Sequence, residues 1–332
     1  MVKTVFSRAP VRICDIGGWT DTWFFPDGAV FSFCVDLYSY VRILKNSVNR
    51  IKIVSENLNL STEIKDFEKI VYDGTLDLLK AAVKRMKIQE ALKIYVNTDA
   101  PPGSGTGTSA SVAVALIAAL AKYNNREMNP SEIADLAHKL ETEELKLESG
   151  VQDQYAAAFG GINFMKINYP SVKLTNIKID EIKIYQLEKR LILIFLGSRI
   201  SDIMHKAVIK KYSSGDKETI KSFEAMKACA YEMKKAINLD LEDIGEIMYR
   251  NWEAQKNLHP LMVNNKILKA ERIAKNYGAI GFKCNGAGGG GSISIIAAEG
   301  KEFKLKQELI KNGFKILPCK LCFNGVSSFL KE

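Results

Sequence analysis

Residues 101–111 read PPGSGTGTSAS, with glycines at 103, 105 and 107 followed by Thr108, Ser109 and Ser111. An apolar, β-prone stretch over 92–96 precedes them, and the strongly helical pattern VAVALIAALAK over 112–122 follows. Strand, glycine-rich turn and helix start in that order make an anion cradle. Glycines let the backbone close round the ligand, and unpaired N–H groups at the helix start point at it. This is not a Walker A loop, because no Gly-Lys-Ser/Thr ends it. Nor is it a dinucleotide fingerprint, since the spacing is GxGxG and no acidic residue closes a second strand about 20 residues on. A second run, residues 286–291 (GAGGGG), matches GxGxxG formally but leads into SISII, a strand where a Rossmann unit needs a helix. Five glycines in six positions cost chain entropy on ordering, so such a run implies close backbone approach. The plainer alternatives are a flexible loop for the first run and a wide hairpin turn for the second.

Two carboxylates could do chemistry beside such a cradle. Asp153 stands just before QYAAAF, where it reads equally as a helix N-cap. Glu141 lies four residues after Ala137, beside an apolar helical stripe, where it reads equally as a solvated boundary residue. Glu143, Glu144 and Glu148 read as solvated.

The elements needed to position these residues are legible as periodicity. Strands are expected over 4–16, 29–35, 38–44, 50–55 and 92–97, with a polar turn at 17–22. Helices are expected over 76–86 and 108–123, and another from the Asn129-Pro130 start to about residue 148, with Ile133, Leu136, Ala137 and Leu140 as its buried stripe. A turn, a short helix and a glycine stop fill 150–161, and strands follow at 162–167, 182–186 and 191–195. The second half reads as helices over 217–238, 241–257, 264–277 and 301–312. Strands 279–284 and 292–297 flank the second glycine run, with short strands at 315–317 and 322–325. The fold class is α+β in both halves, with a division expected near 185/186.

The chain has 332 residues, 47% hydrophobic and 26% charged, enough for two domains. It carries no run of 18 apolar residues and no signal-peptide pattern, so a cytoplasmic protein is expected. Six scattered cysteines suit reduced thiols, and the single CxxC at Cys319 and Cys322 lacks the second pair a structural zinc wants. The net charge of +9 is spread along the chain without a basic–aromatic patch, which suits attraction of phosphorylated metabolites better than a nucleic-acid interface.

Three stretches together resemble the signature motifs of the GHMP kinases: RAPVRICDIGGWTD over 8–21, the cradle 101–111, and NGAGGGGS over 285–292. They fall in the family's order, at the start, near one third and near the end. Within the family the sugar kinases fit best. Residues 150–154, GVQDQ, look like the GxxDQ of galactokinase-type enzymes. Residues 17–21, GGWTD, are nearer the GGxTD of heptose 7-phosphate kinases and fucokinases, and QYAAAFGG over 154–161 is similar to the former.

The resemblance implies a two-domain fold, with an S5 domain 2-like part over 1–185, a ferredoxin-like part over 186–332, and ATP in the cleft between them. It implies that Pro102, Gly103, Ser104, Gly105, Thr106, Gly107, Thr108 and Ser109 wrap the phosphates, and that Ser109 and Glu141 hold Mg²⁺. Asp153 would be the catalytic base, oriented by Arg12. Asp21, Gly18 and Thr20 would meet the sugar, with Gly288 and Gly289 supporting the cleft. Thr106 and Thr108 replace the Leu and Ser common in the family, and Thr108 keeps a hydroxyl.

The implied reaction is transfer of the ATP γ-phosphate to an anomeric (C1) hydroxyl, most naturally of a heptose 7-phosphate, whose phosphate would need a basic cluster drawn from Arg199, His205, Lys206, Lys210 and Lys211. A neutral sugar or cyclitol (fucose, galactose, arabinose, myo-inositol) would need none. A non-catalytic ATP and sugar sensor is the rival from another class, and a diphosphomevalonate-type decarboxylase is disfavoured by the DQ motif. The expected partners are small molecules, with the protein a monomer or homodimer and no nucleic acid or membrane engaged.

Overall fold

The longest strand, β2 (Asp27–Lys45), lies antiparallel beside β1 (Thr4–Ile16) and organises the larger sheet of the computed structural model, which describes residues 3–198 and 202–331. Sequence reading breaks β2 into two strands for a physical reason. Pro10 faces Tyr38 and Val11 faces Val35, so Asp36 and Leu37 bulge out of register. Residues 28–35 are buried on both faces, whereas Tyr40, Val41, Arg42 and Ile43 alternate between solvent and core.

After β3 (Ile51–Ser55), β4 (Leu60–Ile64) and helix α1 (Asp77–Arg85), the chain forms β5 (Leu92–Thr98). The sheet order is β12-β1-β2-β5-β3-β4, with only β3 and β5 parallel. The other flank of β2 pairs with β6 (Ile162–Asn168), which pairs with β7 (Ser171–Ile177). Strand β12 (Ser327–Lys331) returns from the far end of the chain to pair with β1.

Helix α2 (Thr108–Tyr123) starts directly after the first glycine run. It is apolar all round, as a helix enclosed on every side must be, and packs on β1, β2, β12 and α4 (Gln152–Phe159). Helix α3 (Pro130–Lys139) begins with the Asn129/Glu132 capping box. The expected continuation to residue 148 does not occur: the chain winds into a π turn over Leu140–Glu144, where the Leu145 N–H reaches the Leu140 carbonyl, and then leaves helical geometry. Single π turns often mark functional positions, and this one carries Glu141.

The second sheet, β11-β8-β10-β9, is antiparallel throughout and built from β8 (Leu191–Gly197), β9 (Ala279–Cys284), β10 (Gly291–Ala297) and β11 (Lys315–Ile316). The expected strand at 182–186 is instead part of helix α5 (Glu181–Arg190), started by an Asp180 cap. The expected 185/186 division thus falls inside α5. Helix α6 (Asp202–Ser213) precedes α7 (Lys217–Ala236) and α8 (Leu241–Lys256). Helix α7 packs on β1 and β2 while α8 packs on β9, so the pair joins the two sheets. Helices α9 (Asn265–Asn276) and α10 (Glu302–Lys311) complete the second half. In place of the strand expected at 322–325 there is a single bridge between Leu321 and Val35.

Cys322 is buried with its Sγ 3.1 Å from the Tyr38 hydroxyl, and among the described residues no cluster of three metal-ligating side chains exists. No described helix is long and apolar enough to cross a membrane.

Candidate active site

A cleft of about 530 Å³ opens where the first glycine run, the π turn, the 17–22 turn and the second glycine run converge. Gly103, Gly105 and Gly107 all have φ between +72° and +74°, a left-handed backbone closed to most side chains. Gly107 serves as N-cap of α2 with no side-chain cap bond, so first-turn N–H groups remain for a ligand. A Cβ on Gly107 would stand 3.1 Å from the Asp153 carboxyl carbon, so that glycine also makes room for the carboxylate. The hydroxyls of Ser104, Thr106 and Thr108 form a triangle with edges of 2.7, 3.1 and 3.3 Å that stiffens the loop. Thr106 is fully buried, while the Pro102 carbonyl accepts from the Ser198 hydroxyl outside the cleft lining.

Arg12, on β1, ties the cleft together. Its Nε and Nη2 both reach Asp153 Oδ1 at 2.7 Å, its Nη1 bonds the Gly105 carbonyl, and its backbone N–H donates to the Thr106 carbonyl at 3.1 Å. Burial disfavours a buried guanidinium's charge, yet Asp153 and Asp15 hold its pKa above the ordinary value. Asp153, in the first turn of α4, is left with Oδ2 unbonded among the described residues.

Glu141 is buried and its pKa is pushed up to about 7, by burial first and by the nearby Asp153 charge, against hydrogen bonds from Ser149, Gln154 and Ser109. Ser149 donates at 2.5 Å and Gln154 at 2.7 Å. Asp21 is likewise buried and pushed up to about 6, chiefly by burial, although the Gln152 N–H donates to it at 3.1 Å. Asp21 also fills the space beside Gly150, where a Cβ would come within 2.0 Å of its Oδ2.

Matches to the models of the GHMP kinases N terminal domain, over residues 74–161, and of the GHMP kinases C terminal, over 218–315, cover both halves of the chain. The chain belongs to the GHMP kinase family. It is an ATP-dependent phosphotransferase of the sugar-kinase type, acting on an alcohol group. The D-glycero-alpha-D-manno-heptose 7-phosphate kinase of Campylobacter jejuni is 29% identical over 340 residues, covering 99% of each chain. A galactokinase of Thermotoga petrophila is 24% identical, covering 97% of each. The crystal structure of a D-glycero-D-manno-heptose 1-phosphate kinase from Bacteroides thetaiotaomicron shares the fold, with a TM-score of 0.80, 24% identity and 98% of each chain covered.

This GHMP kinase brings Arg12, Asp21, Gly103, Ser104, Gly105, Gly107, Thr108, Ser109, Glu141 and Asp153 to one cleft. Other expected site residues stand back from it. The Thr20 hydroxyl is consumed by the Gly17 and Ala29 carbonyls and the Ala29 N–H, and Gly18 packs against Asp15. Gly288 and Gly289 pack on Met262, Gln255, Met204 and the Leu261 carbonyl. Within the proposed basic cluster, His205 and Lys206 line the cleft, Lys210 does not, and Lys211 turns to Asp216 at 3.6 Å. Arg199 lies outside the described residues.

Sequence reading missed Asp15, Ser149, Gln152, Gln154 and Lys283. For Asp15 and Lys283 a signal existed, a charge inside an otherwise apolar strand pattern; Gln152 and Gln154 lay within the GVQDQ motif without being given a role, and Ser149 carried no signal.

Proposed function

We propose that this GHMP kinase transfers the γ-phosphate of ATP to the anomeric hydroxyl of a heptose 7-phosphate. The observation that carries the chemistry is the double contact of Arg12, which grips Asp153 Oδ1 and the Gly105 carbonyl at once. It ties a carboxylate able to take a proton to the loop that cradles phosphate. Full-length similarity to a kinase named for heptose 7-phosphate supports the acceptor, as do His205, Lys206 and Lys146 around the same cleft.

In this reading Asp153 Oδ2 accepts the proton of the attacking hydroxyl, assistance typically worth ~10²–10⁴-fold. Arg12 keeps that carboxylate turned toward the acceptor and offsets its charge. The N–H groups of the 103–109 loop hold the phosphate chain, and Asp21 accepts from sugar hydroxyls. Ser109 and Glu141 fit a hard cation: both are oxygen donors, and a carboxylate pushed up to about 7 by burial gains most from a positive charge beside it. Mg²⁺ held there would neutralise charge on the transferring phosphates.

An ADP-release panel of heptose 7-phosphate, fucose, galactose, mannose, arabinose and myo-inositol tests the acceptor. Turnover on the heptose phosphate at least tenfold above the neutral sugars is expected. A preference for a neutral sugar overturns the phosphate assignment, and silence across the panel favours a non-catalytic sensor.

A further inference from the structure

Gly286 is held at both its N–H and its carbonyl by a closed ring of buried groups. Its N–H donates to both Asp15 oxygens, at 3.0 and 3.1 Å, and its carbonyl accepts from Gln255 Nε2 at 2.9 Å. Lys283 closes the ring, with its Nζ 2.7 Å from Gln255 Oε1 and 3.4 Å from Asp15 Oδ1. Asp15 and Lys283 side chains are each only 1% exposed. Burial alone would raise the Asp15 pKa, but Lys283, then Arg12 and the Gly286 N–H, hold it below the usual carboxylate range.

The ring lies between the two sheets, Asp15 being on β1 and Lys283 on β9. Asp15 also stands 3.9 Å from Arg12 Nη1, and it lines the cleft together with Gly286. An uncompensated carboxylate there would repel a phosphate chain in a poorly screened, low-dielectric place. A neutral side chain of similar shape would avoid that repulsion but would lose the charged grip on the Gly286 N–H and the opposing charge at Arg12.

We infer that Asp15 and Lys283 are a positioning couple for the phosphoryl transfer: Asp15 registers the second glycine run against Arg12, and Lys283 cancels its charge so that the cleft still admits ATP. The inference rests on the kinase reading but not on the identity of the sugar.

The test compares Asp15→Asn, Lys283→Met and the double variant Asp15→Asn/Lys283→Met. Dissociation constants for MgATP are measured at low and high salt, and turnover is followed on whichever sugar of the panel the wild type phosphorylates. Asp15→Asn should lower kcat about tenfold while changing MgATP affinity less than about threefold. Lys283→Met should weaken MgATP binding at least tenfold at low salt and less at high salt. The double variant should recover MgATP affinity to within about threefold of wild type while kcat stays low.

A merely structural pair would instead lower melting temperature, affinity and turnover together, with the double variant no better than the worse single one, and that outcome overturns the inference. So does unchanged MgATP affinity in Lys283→Met. If Lys283→Met does not fold, Lys283→Gln takes its place and the rescue by Asp15→Asn is read in the same way. A wild type silent on every sugar counts against the acceptor assignment, whereas the nucleotide arm still decides this one.

Discussion

The two glycine runs both bring backbone into close approach and have opposite uses. In 103–107 the glycines alternate with hydroxyl residues, face the cleft and hand over to an uncapped helix start. In 286–291 four of the five are consecutive, they lead into strand β10, and they mostly face protein: Gly289 donates to the Met262 carbonyl, and a Cβ on Gly291 would stand 2.6 Å from the Ser104 carbonyl oxygen. The first run therefore leaves the N–H groups of an uncapped helix start beside the cleft, and the second lets one piece of backbone lie directly on another. The lesson is that glycine content marks close approach, and the following element says to what.

The largest expected effect lies at the carboxylate that Gly107 makes room for. Asp153→Asn should lower kcat ~10²–10⁴-fold with MgATP binding retained, measured by steady-state kinetics and calorimetry. Turnover near wild type would remove Asp153 from the chemistry. Next come the glycines themselves. Gly107→Ala adds a methyl 3.1 Å from Asp153 at φ +73°, and Gly291→Ala adds one 2.6 Å from a backbone oxygen at φ +78°. We expect Gly107→Ala to lower kcat by at least tenfold with a modest loss of melting temperature, and Gly291→Ala to lower melting temperature more than it lowers kcat. The reverse pattern would invert the assignment of the two runs.

Ser109→Ala and Glu141→Gln should each raise the Mg²⁺ concentration for half-maximal rate several-fold, and an unchanged Mg²⁺ profile in both would dissociate the pair from the metal. Smaller still is a stability effect at Asp21. Its carboxyl is pushed up to about 6 from an ordinary 3.8, so its contribution to folding is fully present below about pH 4 and is lost as pH rises through about 6. Asp21→Asn cannot ionise, so it should melt a few °C above wild type at pH 8 and level with it near pH 4, by thermal scans across pH. Gly313→Ala is the smallest: φ is +86° but a Cβ meets nothing within 4 Å, so only the backbone strain of about 1 kcal/mol should appear.

Local pattern made most elements legible. The cap at Asn129, the apolar periodicity of α2 and the β-prone run of β5 each carry their own signal within a few residues. Most misreadings trace to contacts made outside the segment itself, and one to a local cap that outweighs an alternating pattern. β2 reads as two strands because its bulge exists only opposite Pro10. Residues 182–186 alternate like a strand, yet the Asp180 cap turns them into helix α5. The helix after α3 stops at the π turn, where Glu141 meets Ser149 and Gln154 from the loop and helix that follow. Strand β12 has no reason to belong with residues 4–8 until β1 is in place beside it.

Residue order alone sufficed for the anion cradle, a short-range fact, since glycine and hydroxyl spacings act within one turn of chain. Family membership and the pairing of Arg12 with Asp153 were expected only through the resemblance of three separate motifs, because the residues by themselves left Asp153 reading equally as a helix cap. The folded chain alone put Arg12 between Asp153 and Gly105, withdrew Thr20, Gly288 and Gly289 into packing, and joined Asp15 to Lys283 across 268 positions. Burial and charge compensation depend on what arrives from the far end of the chain, and no local spacing encodes that.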